Sequence, residues 1–131
     1  MRLKTLLISL LGLSLFSFSS CSASINSVTN ISPKDALELI KGNSNAVLID
    51  VRTPDEHKSM RIPGSILIPV DEIKEKIADV VPDKNTTIIV YCRSGKRSTT
   101  AAKTLMEMGY NRVLNLGGII DWPYDTEGDL D

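Results

Sequence analysis

Cysteine, histidine and aromatic residues are scarce in this sequence of 131 residues: two Cys, one His and 5% Phe, Trp and Tyr together. With so few thiols and imidazoles, a four-ligand structural zinc site would need several carboxylates, and a disulfide-stapled scaffold is excluded. Excess charge of either sign is also missing, since 15 Lys and Arg stand against 16 Asp and Glu for a net of −1. Electrostatic nucleic-acid binders are clearly basic, so that class falls away. Disorder is excluded from the other side, because 42% of the residues are apolar and net charge is low. The length is that of one domain.

A long apolar run is lacking as well. The longest, Leu6 to Phe16, is broken by Ser9, Gly12 and Ser14 and is too short to span a bilayer comfortably. It follows the cationic start Met1-Arg2-Leu3-Lys4 and precedes the small residues Ser17, Ser19, Ser20 and Cys21. That three-part layout reads as a secretory signal over residues 1–20, with an uncleaved anchor as the other reading. Phe18-Ser19-Ser20-Cys21 resembles the lipobox of bacterial lipoproteins, with Phe18 where an aliphatic residue is usual. The resemblance implies cleavage before Cys21 and lipidation of it; a cut near Ala23 is the alternative. Acyl chains on Cys21 would hold the protein to a membrane, at about 0.8 kcal/mol per buried CH₂. The expected location is therefore exported and periplasmic, lipid-anchored if Cys21 is modified. Loss of Arg2 and Lys4 with the signal leaves 13 bases against 16 acids, a net of −3. Both phenylalanines go with it, so the core must be aliphatic apart from Tyr91, Tyr110, Trp122 and Tyr124.

Residues 21–30 read as a polar tether. Ser32-Pro33-Lys34-Asp35 then starts a helix, with a serine cap, proline in the first turn and an acid behind it, and Gly42 ends it. Ala46 to Val51 is a short apolar run expected as a buried strand. A short helix is expected over Pro54 to Met60, a strand over Ile66 to Ile68 and a helix over Asp71 to Val81, where Glu72 and Lys76 are spaced to pair. Thr86 to Tyr91 is the clearest strand, followed by a helix over Ser98 to Met108 and a last strand over Arg112 to Leu116. Alternating strands and helices predict an α/β fold: one mostly parallel sheet with helices on both faces. Ligands in such sheets bind beyond the carboxyl ends of the strands.

Directly after the clearest strand comes Cys92-Arg93-Ser94-Gly95-Lys96-Arg97-Ser98, leading into a helix. From Lys84 through Met106 there are five bases and no acid. A cysteine so placed faces free N–H groups, a positive helix end and guanidinium charge, all of which favour the thiolate. The same surroundings bind anions. The bland alternative, a small buried cysteine packed at a strand end, is outweighed by three cations within five residues of the thiol. A Cys21–Cys92 disulfide is not expected, given their separation and the lipidation of Cys21.

This loop resembles the active-site loop of single-domain rhodaneses, the thiosulfate sulfurtransferase family. Asp50-Val51-Arg52-Thr53-Pro54-Asp55-Glu56, Ile62-Pro63-Gly64-Ser65 with Ile66 to Pro69, and Leu116-Gly117-Gly118 with Trp122 resemble further family segments in the same order. The resemblance covers roughly residues 31–122 and implies a single rhodanese-like domain, with 123–131 as an acidic tail. It implies an enzyme in which Cys92 takes a sulfane sulfur from thiosulfate or a persulfide and passes it to cyanide or a thiol. Arg93, Ser94, Gly95, Lys96, Arg97 and Ser98 would bind the substrate, with Asp50, Arg52 and Glu56 in support. No metal or organic cofactor, no nucleic acid and no second subunit is expected. Related phosphatases space cysteine and arginine as Cys-x5-Arg, whereas four residues separate Cys92 from Arg97 here, so phosphatase or arsenate-reductase chemistry ranks behind sulfur transfer. A carrier or binding module without turnover is the remaining alternative.

Three further expectations concern the surroundings. Arg52 is expected to pair with Glu56. His57, the only histidine, follows two acids on a short helix and is expected to face solvent rather than act as a base. Arg61 stands where many relatives carry histidine. Asp121, Asp125, Glu127, Asp129 and Asp131 read as a frayed, solvated end.

Overall fold

The β-branched, apolar stretch around Ile88 to Val90 cannot stay in water cheaply and cannot pack as a helix without crowding, so it forms the central strand of the molecule. The computed structural model describes residues 27–42 and 44–130. The signal expected at 1–20, Cys21 and the alternative cut near Ala23 lie outside the described residues. Five strands run in chain order: β1 (Thr29–Asn30), β2 (Val47–Asp50), β3 (Ile66–Leu67), β4 (Ile88–Cys92) and β5 (Val113–Gly118). The helices are α1 (Pro33–Lys41), α2 (Pro54–Ser59), α3 (Ile73–Val80) and α4 (Lys96–Glu107). The sheet order is β1-β5-β4-β2-β3, and every pairing is parallel.

Period-two alternation divides the interior between two faces. Ile88, Val90 and Cys92 pack on one face with Ile73 and Ile77 of α3 and Ala101, Ala102 and Leu105 of α4. Ile89 and Tyr91 point the other way, toward Ala36 of α1, Ile62, Ile119 and Trp122. Each fully buried aliphatic side chain contributes roughly 1.5–3 kcal/mol, which offsets the ordering of the chain between elements. The sheet is thus covered on both sides, as the alternation of elements predicts.

Local chemistry sets the ends. The Ser32 hydroxyl accepts the Asp35 N–H at 3.1 Å with Pro33 in the first turn, and Gly42 caps the other end of α1. The helix expected from Asp71 begins as a 3₁₀ turn over Val70–Glu72 before α3, and Glu72 meets Lys76 at 2.7 Å. Two expectations need correction. Thr29 and Asn30, read as tether, add a short strand to the sheet edge opposite Leu114 and Asn115. The acidic end is not frayed through residues 127–129: Arg61 and Glu127 exchange backbone hydrogen bonds at 2.7 and 2.9 Å, and the Asp129 N–H reaches the Lys58 carbonyl at 2.8 Å.

From β2 the chain moves outward to β3, and from β4 it moves the opposite way to β5. Such a reversal opens a crevice at the carboxyl ends of the two inner strands. Asp50 ends β2 there and Cys92 ends β4.

Candidate active site

Cys92 closes the central strand, and its side chain is only 1% exposed. Gly95 turns the next residues back over it with φ +106°, a left-handed conformation that glycine adopts without strain. The Gly95 N–H thereby donates to Cys92 Sγ at 3.0 Å. Ser98, buried in the first turn of α4, places its hydroxyl 3.6 Å from the sulfur. Burial pushes the Cys92 pKa up, but the N–H and hydroxyl of Ser98 and the N–H groups of Gly95 and Ser94 outweigh it and hold the thiol below 9.0. The dominant partners of the sulfur are therefore backbone dipoles and one hydroxyl.

The loop is fastened to β5. The Thr99 hydroxyl donates to the Gly95 carbonyl at 2.8 Å, Asn115 Nδ2 donates to that hydroxyl at 3.1 Å, and Asn115 Oδ1 accepts the Gly117 N–H at 3.0 Å. A Cβ on Gly118 would lie 2.3 Å from the Arg93 carbonyl oxygen and 2.7 Å from Ser94 Cα, so only glycine lets the loop rest here.

The cations of the loop part company. Arg97, expected to face the substrate, donates from both arms to Glu56 at 2.8 and 3.0 Å. Glu56 Oε2 also accepts from the Thr53 N–H and hydroxyl, each at 3.0 Å, closing a capping box at the start of α2. Arg97 is the main cause that holds the Glu56 carboxyl down, at about 2, against a smaller opposing effect of burial. Arg93 and Lys96 remain exposed, with no ion-pair partner among the described residues.

The expected Arg52–Glu56 pair does not form, because Glu56 is engaged by Arg97. Arg52 turns instead onto Asp50, with Nε at 2.9 Å and Nη2 at 2.7 Å, and Nη2 also donates to the Met60 carbonyl at 2.6 Å. Asp50 is fully buried and serves more partners. Its Oδ2 accepts from the Tyr91 hydroxyl at 3.1 Å and lies 2.9 Å from His57 Nδ1. Next to a carboxylate, that nitrogen carries the proton. His57 is thus 17% exposed and turned inward, not solvent-facing as expected. The Tyr91 hydroxyl in turn accepts the Ile62 N–H at 3.1 Å and contacts Ser65 Oγ at 2.9 Å. Burial pushes its pKa up to about 12, keeping it a donor. Sequence alone does not single out Tyr91 or Ser65 for the site. The signal is faint: a tyrosine next to the cysteine, in a strand otherwise aliphatic.

A parallel sheet whose central strand delivers a thiol to converging N–H groups at a helix start defines a class of α/β domain, one with an anion cradle built around cysteine. Residues 32–123 match the family described as rhodanese-like domain, and the chain belongs to that family. It is 49% identical over 73 residues to the thiosulfate sulfurtransferase PspE of Escherichia coli, covering 56% of this chain and 70% of that protein. It is 36% identical over 96 residues to a sulfurtransferase of Allochromatium vinosum, covering 72% and 88%. A solved rhodanese with anions from E. coli superposes with a TM-score of 0.61 at 43% identity, over 63% of this chain and 98% of that one.

Proposed function

We propose that the protein is a rhodanese-type sulfurtransferase working through a persulfide on Cys92. The observation that carries this reading is the buried Cys92 sulfur, which accepts the Gly95 N–H at 3.0 Å and lies 3.6 Å from the Ser98 oxygen, in a chain related to a thiosulfate sulfurtransferase. The Cys92 thiolate attacks the outer sulfur of thiosulfate; the donor's S–S bond breaks and sulfite leaves with the bonding pair. The same N–H groups that favour the thiolate then stabilise the anionic persulfide. Cyanide or a thiol takes the outer sulfur, and the Cys92 thiolate returns.

The loop argues against phosphoryl or arsenate chemistry. Four residues separate Cys92 from Arg97, and both arms of that guanidinium are engaged by Glu56. In the Cys-x5-Arg spacing the arginine for a phosphate ligand would stand at position 98, where this chain has serine.

The test is sulfite release from thiosulfate with cyanide as acceptor. Wild type should turn over and Cys92→Ser should not; equal rates overturn the proposal. Intact mass should show +32 Da on the wild type after thiosulfate alone, and that adduct without turnover would make the protein a carrier. We also propose export to the periplasm with a lipid on Cys21, supported by the signal-like start of the sequence. Cys21→Ala should release the protein from the membrane fraction; unchanged attachment overturns the lipid anchor.

A further inference from the structure

An α-helix leaves its last carbonyl groups without partners inside the helix. In α2 the Met60 N–H makes the final turn to the Glu56 carbonyl at 3.1 Å, so the carbonyls of His57, Lys58, Ser59 and Met60 must look elsewhere. Each meets a residue from outside α2. Arg61 Nη1 donates to His57 at 3.2 Å, the Asp129 N–H donates to Lys58 at 2.8 Å, and Arg52 Nη2 donates to Met60 at 2.6 Å. The Gly128 backbone rests on Ser59 so closely that a Cβ would lie 2.2 Å from the Ser59 carbonyl oxygen. Two of the four carbonyls are thus covered by the C-terminal segment of the chain. Arg61 fastens that segment with two backbone hydrogen bonds to Glu127 and with ion pairs to Glu127 at 3.3 Å and Asp129 at 2.9 Å.

A helix of six residues with no buried side chain has little to hold it apart from its ends. Yet α2 carries Glu56, which takes both arms of Arg97 at 2.8 and 3.0 Å. Arg97 directly precedes Ser98, whose hydroxyl lies 3.6 Å from the Cys92 sulfur. A continuous path of hydrogen bonds and one short helix therefore runs from the C-terminal segment to the thiol loop.

We propose that Arg61 and residues 127–129 are positioning residues for sulfur transfer. They complete the C-terminal end of α2 and so keep Glu56 where it fastens Arg97 beside the cysteine loop. They act through α2 and not on the sulfur. The inference rests on the sulfur-transfer reading and adds to it a dependence on a segment outside the cysteine loop.

Gly128→Ala and Arg61→Gln break the contact from its two sides. Thiosulfate turnover with cyanide is measured on the full chain, at a temperature where circular dichroism shows every variant folded. Each substitution should slow turnover by at least about twofold, the low end for coupling carried through packed and hydrogen-bonded elements. In a Glu56→Gln background, where the link to Arg97 is already cut, neither should slow it further, because residues on one route do not add. KM for thiosulfate should move together with kcat, whereas a smaller folded fraction lowers kcat alone. Ile77→Val removes a methyl from the buried face of α3 and supplies a separate loss of stability; it should leave turnover at the wild-type rate. Wild-type rates in Gly128→Ala and Arg61→Gln, equal slowing in both backgrounds, or matching slowing by Ile77→Val overturns the inference and leaves sulfur transfer intact. A wild type that neither turns over thiosulfate nor takes up sulfur mass overturns the sulfur-transfer reading and this inference with it.

Discussion

At the scale of single residues, the Ser98 hydroxyl is one of the groups that lower the Cys92 pKa, beside the backbone N–H groups of Ser98, Gly95 and Ser94. In the thiol form the S–H faces the Ser98 oxygen at 3.6 Å, while the serine hydroxyl is directed to the Gly95 carbonyl at 3.0 Å. Once the thiol ionises, that hydroxyl can rotate to donate to sulfur, so it favours the charged form. Ser98→Ala should therefore move the midpoint of Cys92 alkylation by iodoacetamide upward and slow alkylation at pH 7. One hydrogen bond of about 1 kcal/mol limits the effect to roughly fivefold. An unchanged midpoint would mean that the backbone N–H groups act alone. The cysteine loop is legible in the sequence because its chemistry is contiguous: thiol, glycine, cations and helix start fall within seven residues, Cys92 to Ser98. The Asp50 cluster is not, because His57, Tyr91 and Arg52 reach one carboxylate from three separate elements, and 41 positions separate Asp50 from Tyr91. Local spacing favours an Arg52–Glu56 pair; tertiary packing offers each a better partner.

Among the elements, α2 is the piece that joins the cluster to the loop. It is only six residues long and has no buried residue, so packing contributes little to it. Its capping box and the Glu56–Arg97 pair hold it instead. The box is readable as Thr53-Pro54-Asp55-Glu56; its link to Arg97 is not. Lys96 and Arg97 sit in the first turn of α4, where cations oppose the helix dipole. Their placement makes sense for ligand binding and for docking α2, not for helix stability. A carboxyl whose pKa falls on folding stabilises the native state above its unfolded value and stops doing so as pH falls through the folded one. For Glu56 those limits are 4.5 and about 2. Glu56→Gln should thus lower stability by about 1 kcal/mol near neutral pH. In denaturant titrations the gap to wild type should be constant above pH 4.5 and close as pH falls toward about 2. A gap that persisted in acid would assign the loss to packing rather than charge. Sulfur transfer at neutral pH should also fall as the loop loses its contact with α2, read as the rate of thiosulfate turnover beside the wild type.

For the whole molecule, net charge says little because the charges are sorted in space. The cationic loop lies at the carboxyl end of the central strand, and the acidic end of the chain folds back onto Arg61. Arg61 Nε meets Glu127 at 3.3 Å and Nη2 meets Asp129 at 2.9 Å, while its Nη1 donates to the His57 carbonyl on α2 at 3.2 Å. Composition reads this segment as solvated, since acids in a row repel; the single arginine that gathers two of them lies 66 and 68 positions away in the chain. The contact is close enough to be tested at one atom. A Cβ on Gly128 would stand 2.2 Å from the Ser59 carbonyl oxygen, a backbone atom that cannot swing aside. Gly128→Ala should lift the segment off, breaking its backbone hydrogen bonds and exposed ion pairs at a cost of about 1–2 kcal/mol. For a domain of this size that lowers Tm by roughly 4–8 °C per kcal/mol. The only tryptophan reports on the event, because Trp122 Nε1 donates to the Asp125 carbonyl at 3.1 Å at the start of the same segment. Its emission should shift to the red in Gly128→Ala. High salt alone should weaken the Arg61 ion pairs of the wild type and leave the emission in place, since backbone hydrogen bonds are not screened. Equal red shifts in salt and in the variant would mean that charge, rather than close backbone fit, keeps the segment in place.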